Sequence, residues 1–320
     1  MTKPRIYITR KIPAELVEPY ANQFDIRMWE KTDEPVPRDI LLQESKQADG
    51  LLCMLSERID KDFLMENSHL KIVANMAVGY DNIDVDEAKQ QGITITNTPD
   101  VLTETTADLT FALLMATARR IVEASNYIEK DLWRNWAPYL FAGSDIHHKT
   151  IGIVGMGRIG EAVAKRAKGF GMSIMYHNRS RKYKVEKTLQ ATYMDFNELL
   201  AKSDFIVSLV PSTTETNELF NHDAFQKMKP TSIFLNVSRG AVVDEDALYE
   251  ALQTKQIKAA GLDVFKEEPI RANHPLVKLE NVVTLPHIGS ATTETRTDMV
   301  NVCFENISAV CNGLDPKTPV

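Results

Sequence analysis

Residues 150–168, TIGIVGMGRIGEAVAKRAK, constrain the fold more than any other stretch. An apolar strand, Thr150–Val154, runs into Gly155-Met156-Gly157-Arg158-Ile159-Gly160. Ile159, Val163, Ala164 and Ala167 then recur at helical spacing. A G-x-G-x-x-G pattern is weak alone, but between a strand and a helix it has mechanical content. Gly155 permits a tight turn, Gly157 lets the backbone approach a pyrophosphate, and Gly160 lets the helix lie close on the sheet. The helix N-terminus presents N–H groups and partial positive charge to an anion. A glycine-rich turn without a ligand would show the same letters. The flanking strand and helix favour a dinucleotide turn.

Strands and helices alternate on both sides of it. Ile6–Thr9, Gly50–Leu55, Lys71–Asn75 and Ile93–Asn97 read as strands, with helical patterns at Ala14–Gln23 and Arg38–Gln47. A long helical pattern covers Thr103 to Lys130. A second strand series follows, at 150–154, 172–178, 204–210, 232–237, 259–264 and 281–285. Such alternation predicts α/β architecture with parallel sheets, the second larger than the first. The dinucleotide turn comes in mid-chain, so a nucleotide domain (101–287) is expected to be inserted in a domain made of 1–100 and 288–320.

The composition narrows the function. The 320 residues suit about two domains. A formal net charge of -7 disfavours nucleic acid and anionic membrane as partners. Cys53, Cys303 and Cys311 show no metal-site spacing, so no metal is expected and a reducing, cytoplasmic setting fits. The N-terminal MTKPRIYITRKIP has no long apolar run, so no secretory signal is expected. Leu109–Ala118 is too short to span a bilayer and reads as a buried helix.

About 20 residues past the glycine turn, a dinucleotide fold usually ends its second strand on an acid that binds the ribose hydroxyls. Here the strand ends MYHNRSRKYK, with Asn178, Arg179, Ser180 and Arg181 in that place. An acid would repel a 2′-phosphate; a planar guanidinium can bond two of its oxygens. The expectation is NADP(H) in preference to NAD(H), with NAD(H) still possible. A solvated basic loop is the alternative, since Lys182, Lys184 and Lys187 continue the run.

Three strand exits carry groups suited to carbonyl reduction: Arg239 after SIFLNVS, Glu268 after AAGLDVFKE and His287 after NVVTLP. Open α/β sheets bind ligands at that edge. Arg239 could hold a substrate carboxylate and polarise a ketone. A protonated His287 could give the proton that an alkoxide needs. Glu268 would orient the ring and raise its pKa. A surface ion pair, a solvated acid and a capping histidine remain the bland readings of the three.

The segments 76–109, 151–172, 234–248, 259–269 and LPHIGSAT (285–292) together resemble the D-isomer-specific 2-hydroxyacid dehydrogenases over nearly the whole chain. The NRSRK strand end is similar to the NADPH-using glyoxylate/hydroxypyruvate reductases of that family. The resemblance implies two Rossmann-like, doubly wound parallel-sheet domains, the substrate domain being flavodoxin-like. It implies the roles given for Arg239, Glu268 and His287. It also implies that Val78 and Gly79 bind the substrate carboxylate through backbone N–H groups and that Leu55 lines the pocket. Thr106, Val210, Pro211, Val237, Ser238, Asp263, His287 and Gly289 would lie along the cofactor, Asp263 at the nicotinamide carboxamide. Arg179 is the residue the family pattern supports most as phosphate reader. A homodimer joined through the nucleotide domain is implied, with 131–143 at its contact. There Trp136 either reaches the partner's active site or only packs. The activity implied is reduction of glyoxylate or hydroxypyruvate, with D-stereochemistry where the product is chiral. Other readings stay open: a phosphoglycerate dehydrogenase, a 2-ketogluconate or other 2-oxo acid reductase, or a nucleotide-sensing corepressor-like protein. Formate dehydrogenases of similar pattern carry glutamine where Glu268 stands.

Overall fold

Short runs of β-branched and aliphatic residues build the strands of a computed structural model that describes residues 3–320; the first two residues of the N-terminal stretch lie outside it. The strands are β1 (Arg5–Ile8), β2 (Asp25–Met28), β3 (Gly50–Cys53), β4 (Ile72–Asn75), β5 (Thr94–Thr96), β6 (Thr150–Val154), β7 (Ser173–His177), β8 (Thr192–Tyr193), β9 (Phe205–Ser208), β10 (Ile233–Asn236), β11 (Ala259–Leu262) and β12 (Val282–Thr284). The chain divides into two compact units, one running through Leu102 and resuming at Ala291–Val320, the other Thr103–Ser290.

The first unit holds a five-stranded parallel sheet in the order β2-β1-β3-β4-β5. This is the flavodoxin-like doubly wound order. Every residue of β3 and β4 is buried, as expected for a parallel sheet covered on both faces. The C-terminal helix Thr293–Cys311 starts at a Thr292 cap that accepts the Thr295 N–H. It buries Met299, Val300, Cys303, Phe304 and Ile307. Phe304 stacks on Tyr20 with centroids 4.0 Å apart.

The second unit holds a seven-stranded parallel sheet, β12-β11-β10-β9-β6-β7-β8. The order reverses around β6, between β7 and β9, which opens a crevice at the carboxyl ends beside the glycine turn. The two-domain α/β expectation holds in architecture, and the second sheet is the larger. The helix Thr103–Ala118 packs close on β11: a Cβ at Gly261 would come 2.7 Å from Thr117 Oγ1 and 2.8 Å from Leu113 Cγ.

Two local expectations differ, and the edge strands β2 and β8 were not expected. The 103–130 pattern is two helices, Thr103–Ala118 and Ile121–Glu129, broken where Arg120 turns left-handed at φ 55° and pairs with Glu123. The Ala14–Gln23 pattern becomes Ala14–Val17 plus a 3-10 turn, Glu18–Tyr20, because Pro19 removes a helix donor there. Edge strand β2 carries no apolar run; its burial only alternates between exposed and half-buried.

Candidate active site

The glycine turn takes the geometry its sequence demands. Gly155 has φ +104°, and a Cβ there would meet the Leu209 carbonyl carbon at 2.7 Å, so it must be glycine on both counts. A Cβ at Gly160 would sit 2.4 Å from the Gly155 oxygen. Gly157 differs: nothing lies within 4 Å of a Cβ built on it. It caps the helix Arg158–Gly169 without any side-chain hydrogen bond. Open space and uncapped N–H groups at a helix start form a cradle that a pyrophosphate fits. Met156 is fully buried beneath the turn and Ile159 packs on the same core, so both are supports, while Arg158 is exposed. Val210 and Pro211 continue from β9 past this turn, Val210 half-buried and Pro211 exposed.

Asparagine fastens the exit of β10. Asn236, 1% exposed, accepts from the Ser238 N–H at 3.1 Å and its hydroxyl at 2.8 Å, and donates to the Arg239 carbonyl at 2.9 Å. Ser238 also meets Ser208 Oγ at 3.1 Å, and Val237 is buried behind. The Arg239 guanidinium donates to the Ser238 carbonyl at 2.9 Å. A Cβ at Gly240 would fall 1.8 Å from the Phe265 carbonyl carbon, so the β10 and β11 exits lie in backbone contact.

That contact brings Glu268 to Arg239. Glu268 Oε1 accepts the Phe265 N–H at 3.0 Å, and Oε2 accepts from His287 Nδ1 at 2.7 Å. Burial works to raise the Glu268 carboxyl pKa. The His287 hydrogen bond and charge, the Phe265 amide and the Arg239 charge outweigh it and hold the group below its ordinary value. His287 is left-handed at φ 53°, and its N–H donates to the Asp263 carbonyl at 2.9 Å. A carboxylate only accepts, so Nδ1 carries the hydrogen and Nε2 is the nitrogen that remains for other chemistry. Glu268 and His287 remain about a third exposed at their side chains, 35% and 28%.

Asp263 lies one step deeper, 1% exposed. Its Oδ1 accepts the Ile288 N–H at 2.8 Å, whereas Oδ2 is buried without a hydrogen-bond partner. Burial raises its pKa above the ordinary value, against the pull of the Ile288 amide, the His287 charge and the Gly289 amide. A Cβ at Gly289 would stand 3.3 Å from Oδ2 and 3.5 Å from Thr106 Cγ2, so Thr106, Asp263 and Gly289 gather in one place. An orphaned buried acceptor calls for an external donor. A carboxamide supplies one, so these residues fit a nicotinamide ring.

At the end of β7, Asn178 is half-buried, Arg179 and Ser180 are exposed, and Asn178 Nδ2 donates to the Ser180 carbonyl at 3.3 Å. Arg181 is instead bonded twice to Glu186, at 3.0 and 2.7 Å. Residues 131–140 are exposed, with Trp133 at 56% and Trp136 at 75%, while Phe141 and Gly143 are half-buried.

In the first unit, the carbonyls of Val78 and Gly79 accept from Asn97 and Asn75 at 2.8 Å each. Among the described residues neither Val78 nor Gly79 donates its N–H to a protein acceptor. The loop holding half-buried Leu55 is fastened by Glu57, 3% exposed. That carboxylate accepts from the Met54 N–H at 2.7 Å, the Thr9 hydroxyl at 2.5 Å and Arg10 at 3.2 Å. Asn75, Asn97, Asn236 and Glu57 were not singled out by sequence reasoning. Asn75, Asn97 and Asn236 stand at strand ends; Asn75 and Asn236 bind residues two to four positions on, whereas Asn97 and Glu57 reach partners farther away in the chain.

A dinucleotide cradle with a carboxylate–imidazole pair and a guanidinium on one sheet edge defines a nicotinamide-type oxidoreductase site. Residues 111–289 match the family model for D-isomer specific 2-hydroxyacid dehydrogenase, NAD binding domain. The chain is 49% identical to a glyoxylate reductase of Thermococcus onnurineus, covering 99% of this chain and 96% of that one. It is 48% identical to one of Pyrococcus horikoshii over the same shares. Among solved structures it superposes on the TT0316 protein of Thermus thermophilus with TM-score 0.92 and 41% identity, covering 99% of each chain. It superposes on an NADPH-dependent glyoxylate/hydroxypyruvate reductase of Sinorhizobium meliloti, in complex with NADP and malonate, with TM-score 0.85 and 33% identity, covering 100% of this chain and 97% of that one. The chain belongs to the D-isomer specific 2-hydroxyacid dehydrogenase family and is an oxidoreductase. No helix among the described residues is long and apolar enough to cross a membrane.

Proposed function

We propose that this enzyme uses NADPH, in preference to NADH, to reduce glyoxylate or hydroxypyruvate to the 2-hydroxy acid, with D-configuration where the product is chiral. The observation that carries the reading is the 2.7 Å bond between His287 Nδ1 and Glu268 Oε2, on the same rim as Arg239.

The cofactor is held by the Gly155–Gly160 turn at its pyrophosphate, by Asn178, Arg179 and Ser180 at its 2′-phosphate, and by Thr106, Asp263 and Gly289 at its carboxamide. Val210, Pro211, Val237 and Ser238 flank it. When bound, reduced nicotinamide supplies a hydride from C4 to the keto carbon. Arg239 holds the substrate anion and polarises the ketone oxygen. Glu268 keeps His287 Nδ1 protonated and the ring oriented, so Nε2 delivers the proton to the alkoxide oxygen. The keto acid thus gains one hydride and one proton. The Val78 and Gly79 amides bind the substrate carboxylate and Leu55 bounds the pocket. In this reading 1–100 with 288–320 serves the substrate and 101–287 the nucleotide. The largely exposed 131–143 segment suits a homodimer contact, with Trp136 reaching the partner's site; the enzyme acts in the cytoplasm.

Support for the cofactor comes from the absence of any acid among residues 178–182 and from the NADP-bound reductase of Sinorhizobium meliloti. The test is a steady-state panel of small 2-oxo acids with both cofactors. Glyoxylate or hydroxypyruvate should give the highest kcat/KM, with NADPH ahead of NADH. Negligible turnover of every acid would point to a nucleotide-sensing binding protein. A higher value for a sugar acid, or for NADH, would overturn the substrate or the cofactor assignment respectively.

A further inference from the structure

The turn after β7 is tied down by a cluster that the cofactor reading does not use. Tyr176, 0% exposed, donates its phenol hydrogen to Glu186 Oε1 at 2.7 Å. The phenol oxygen of Tyr176 accepts the Lys182 N–H at 2.7 Å, at the cap of the helix Tyr183–Leu189. Glu186 in turn takes both hydrogen bonds from Arg181. The Arg181 guanidinium lies over the rings of Tyr183 and Tyr193, at 5.1 and 5.5 Å, and Tyr193 packs edge-on against Tyr176 at 5.5 Å. Phenol, carboxylate, guanidinium and two further rings form a cluster of contacts that bridges the turn from Tyr176 to Lys182.

The two arginines of the turn therefore differ. Arg181 commits the Nε–Nη2 edge of its fork to Glu186 and lies over two aromatic rings. Its partner carboxylate is held ionised, with a pKa lowered chiefly by the Arg181 hydrogen bond and then by that of Tyr176. Binding a phosphate with Arg181 would strip Glu186 of its counter-charge beside a second anion, which like-charge repulsion opposes. Arg179 sits in the middle of the braced turn and is exposed. A guanidinium bonds phosphate bidentately only when its own backbone is fixed at the right place, and an unbraced loop would have to order on binding.

We infer that Tyr176 and Glu186 are positioning residues for cofactor choice: they hold the 178–182 turn in the shape that presents Arg179 to the 2′-phosphate, and they keep Arg181 as a structural cation. This rests on the reading of that turn as the 2′-phosphate site.

The experiment compares wild type with Y176F, E186Q and R179A, measuring KM and kcat for NADPH and NADH and the melting temperature. The expected result is a rise in NADPH KM of about tenfold in Y176F and E186Q, as for loss of one charge-assisted contact, with the NADH constants moved far less. R179A should lose the preference altogether. Equal shifts for both cofactors in Y176F and E186Q would make the cluster merely structural and overturn the inference. So would tighter NADPH binding in E186Q, which would mean that Arg181 reads phosphate once released. If wild type itself prefers NADH, the cofactor reading fails and takes this inference with it. If wild type prefers NADPH, R179A abolishes that, and Y176F and E186Q do not alter it, the inference alone fails.

Discussion

His287 and Glu268, 19 residues apart in sequence, are joined by a 2.7 Å hydrogen bond between Nδ1 and Oε2. The bond assigns the two ring nitrogens different tasks. Removing the imidazole should therefore remove the proton donor and leave the nucleotide cradle intact. His287→Ala is expected to lower kcat by about a hundredfold or more, the range of general-acid catalysis, while Kd for NADPH stays within about twofold. Stopped-flow turnover and fluorescence titration of NADPH check this. Wild-type turnover in the variant would exclude His287 as donor.

Glu268 gives a pH dependence of known sign. Its native pKa lies below the ordinary 4.5, so the unfolded chain takes up the proton first as pH falls. The stabilisation from the pair is therefore complete above about 4.5 and is lost as pH drops through the lowered native value. The melting temperature of wild type should exceed that of Glu268→Gln at neutral pH, and the difference should shrink on acidification below the carboxylate range. A difference that grows in acid would contradict the assignment.

The glycines separate fold from binding. Gly155→Ala forces a side chain onto a left-handed backbone and against the Leu209 carbonyl, and should destabilise the protein by about 1–3 kcal/mol. Gly157→Ala adds a methyl group to open space, so its melting temperature should match wild type while affinity for NADPH falls about tenfold or more. Thermal melts and equilibrium binding on the pair decide it.

Buried Asp263 Oδ2 makes no well-formed hydrogen bond within the protein, although the Gly289 amide lies near enough to help hold its charge. In Asp263→Asn the amide oxygen can still accept the Ile288 N–H, and the amide nitrogen then meets the ligand donor-to-donor. Affinity for the cofactor should fall about tenfold with little loss of stability, since the buried charge is gone. Unchanged binding would place the carboxamide elsewhere.

The sheets and the glycine turn were legible in the sequence because their rules are local. A strand running into Gly155-x-Gly157-x-x-Gly160 and then a helix needs no distant partner. Arg239, Glu268 and His287 were legible as strand exits for the same reason. What sequence could not reveal depends on contacts between distant segments. Glu57 looks like a surface acid in LSERID, yet Thr9, 48 residues away, helps to bury it. Arg181 looks like a second phosphate reader until Tyr193 of β8 and Glu186 are brought beside it. The break at Arg120 has no proline or glycine to announce it; the Glu123 ion pair accompanies it instead.

The central claim is that this site delivers a hydride to one face of the keto carbon of a 2-oxo acid and a proton to its oxygen. It is tested most directly by reducing hydroxypyruvate with NADPH deuterated at the reactive C4 position and analysing the glycerate. The account predicts D-glycerate with deuterium at C2. L-glycerate, or glycerate without the label, would contradict it.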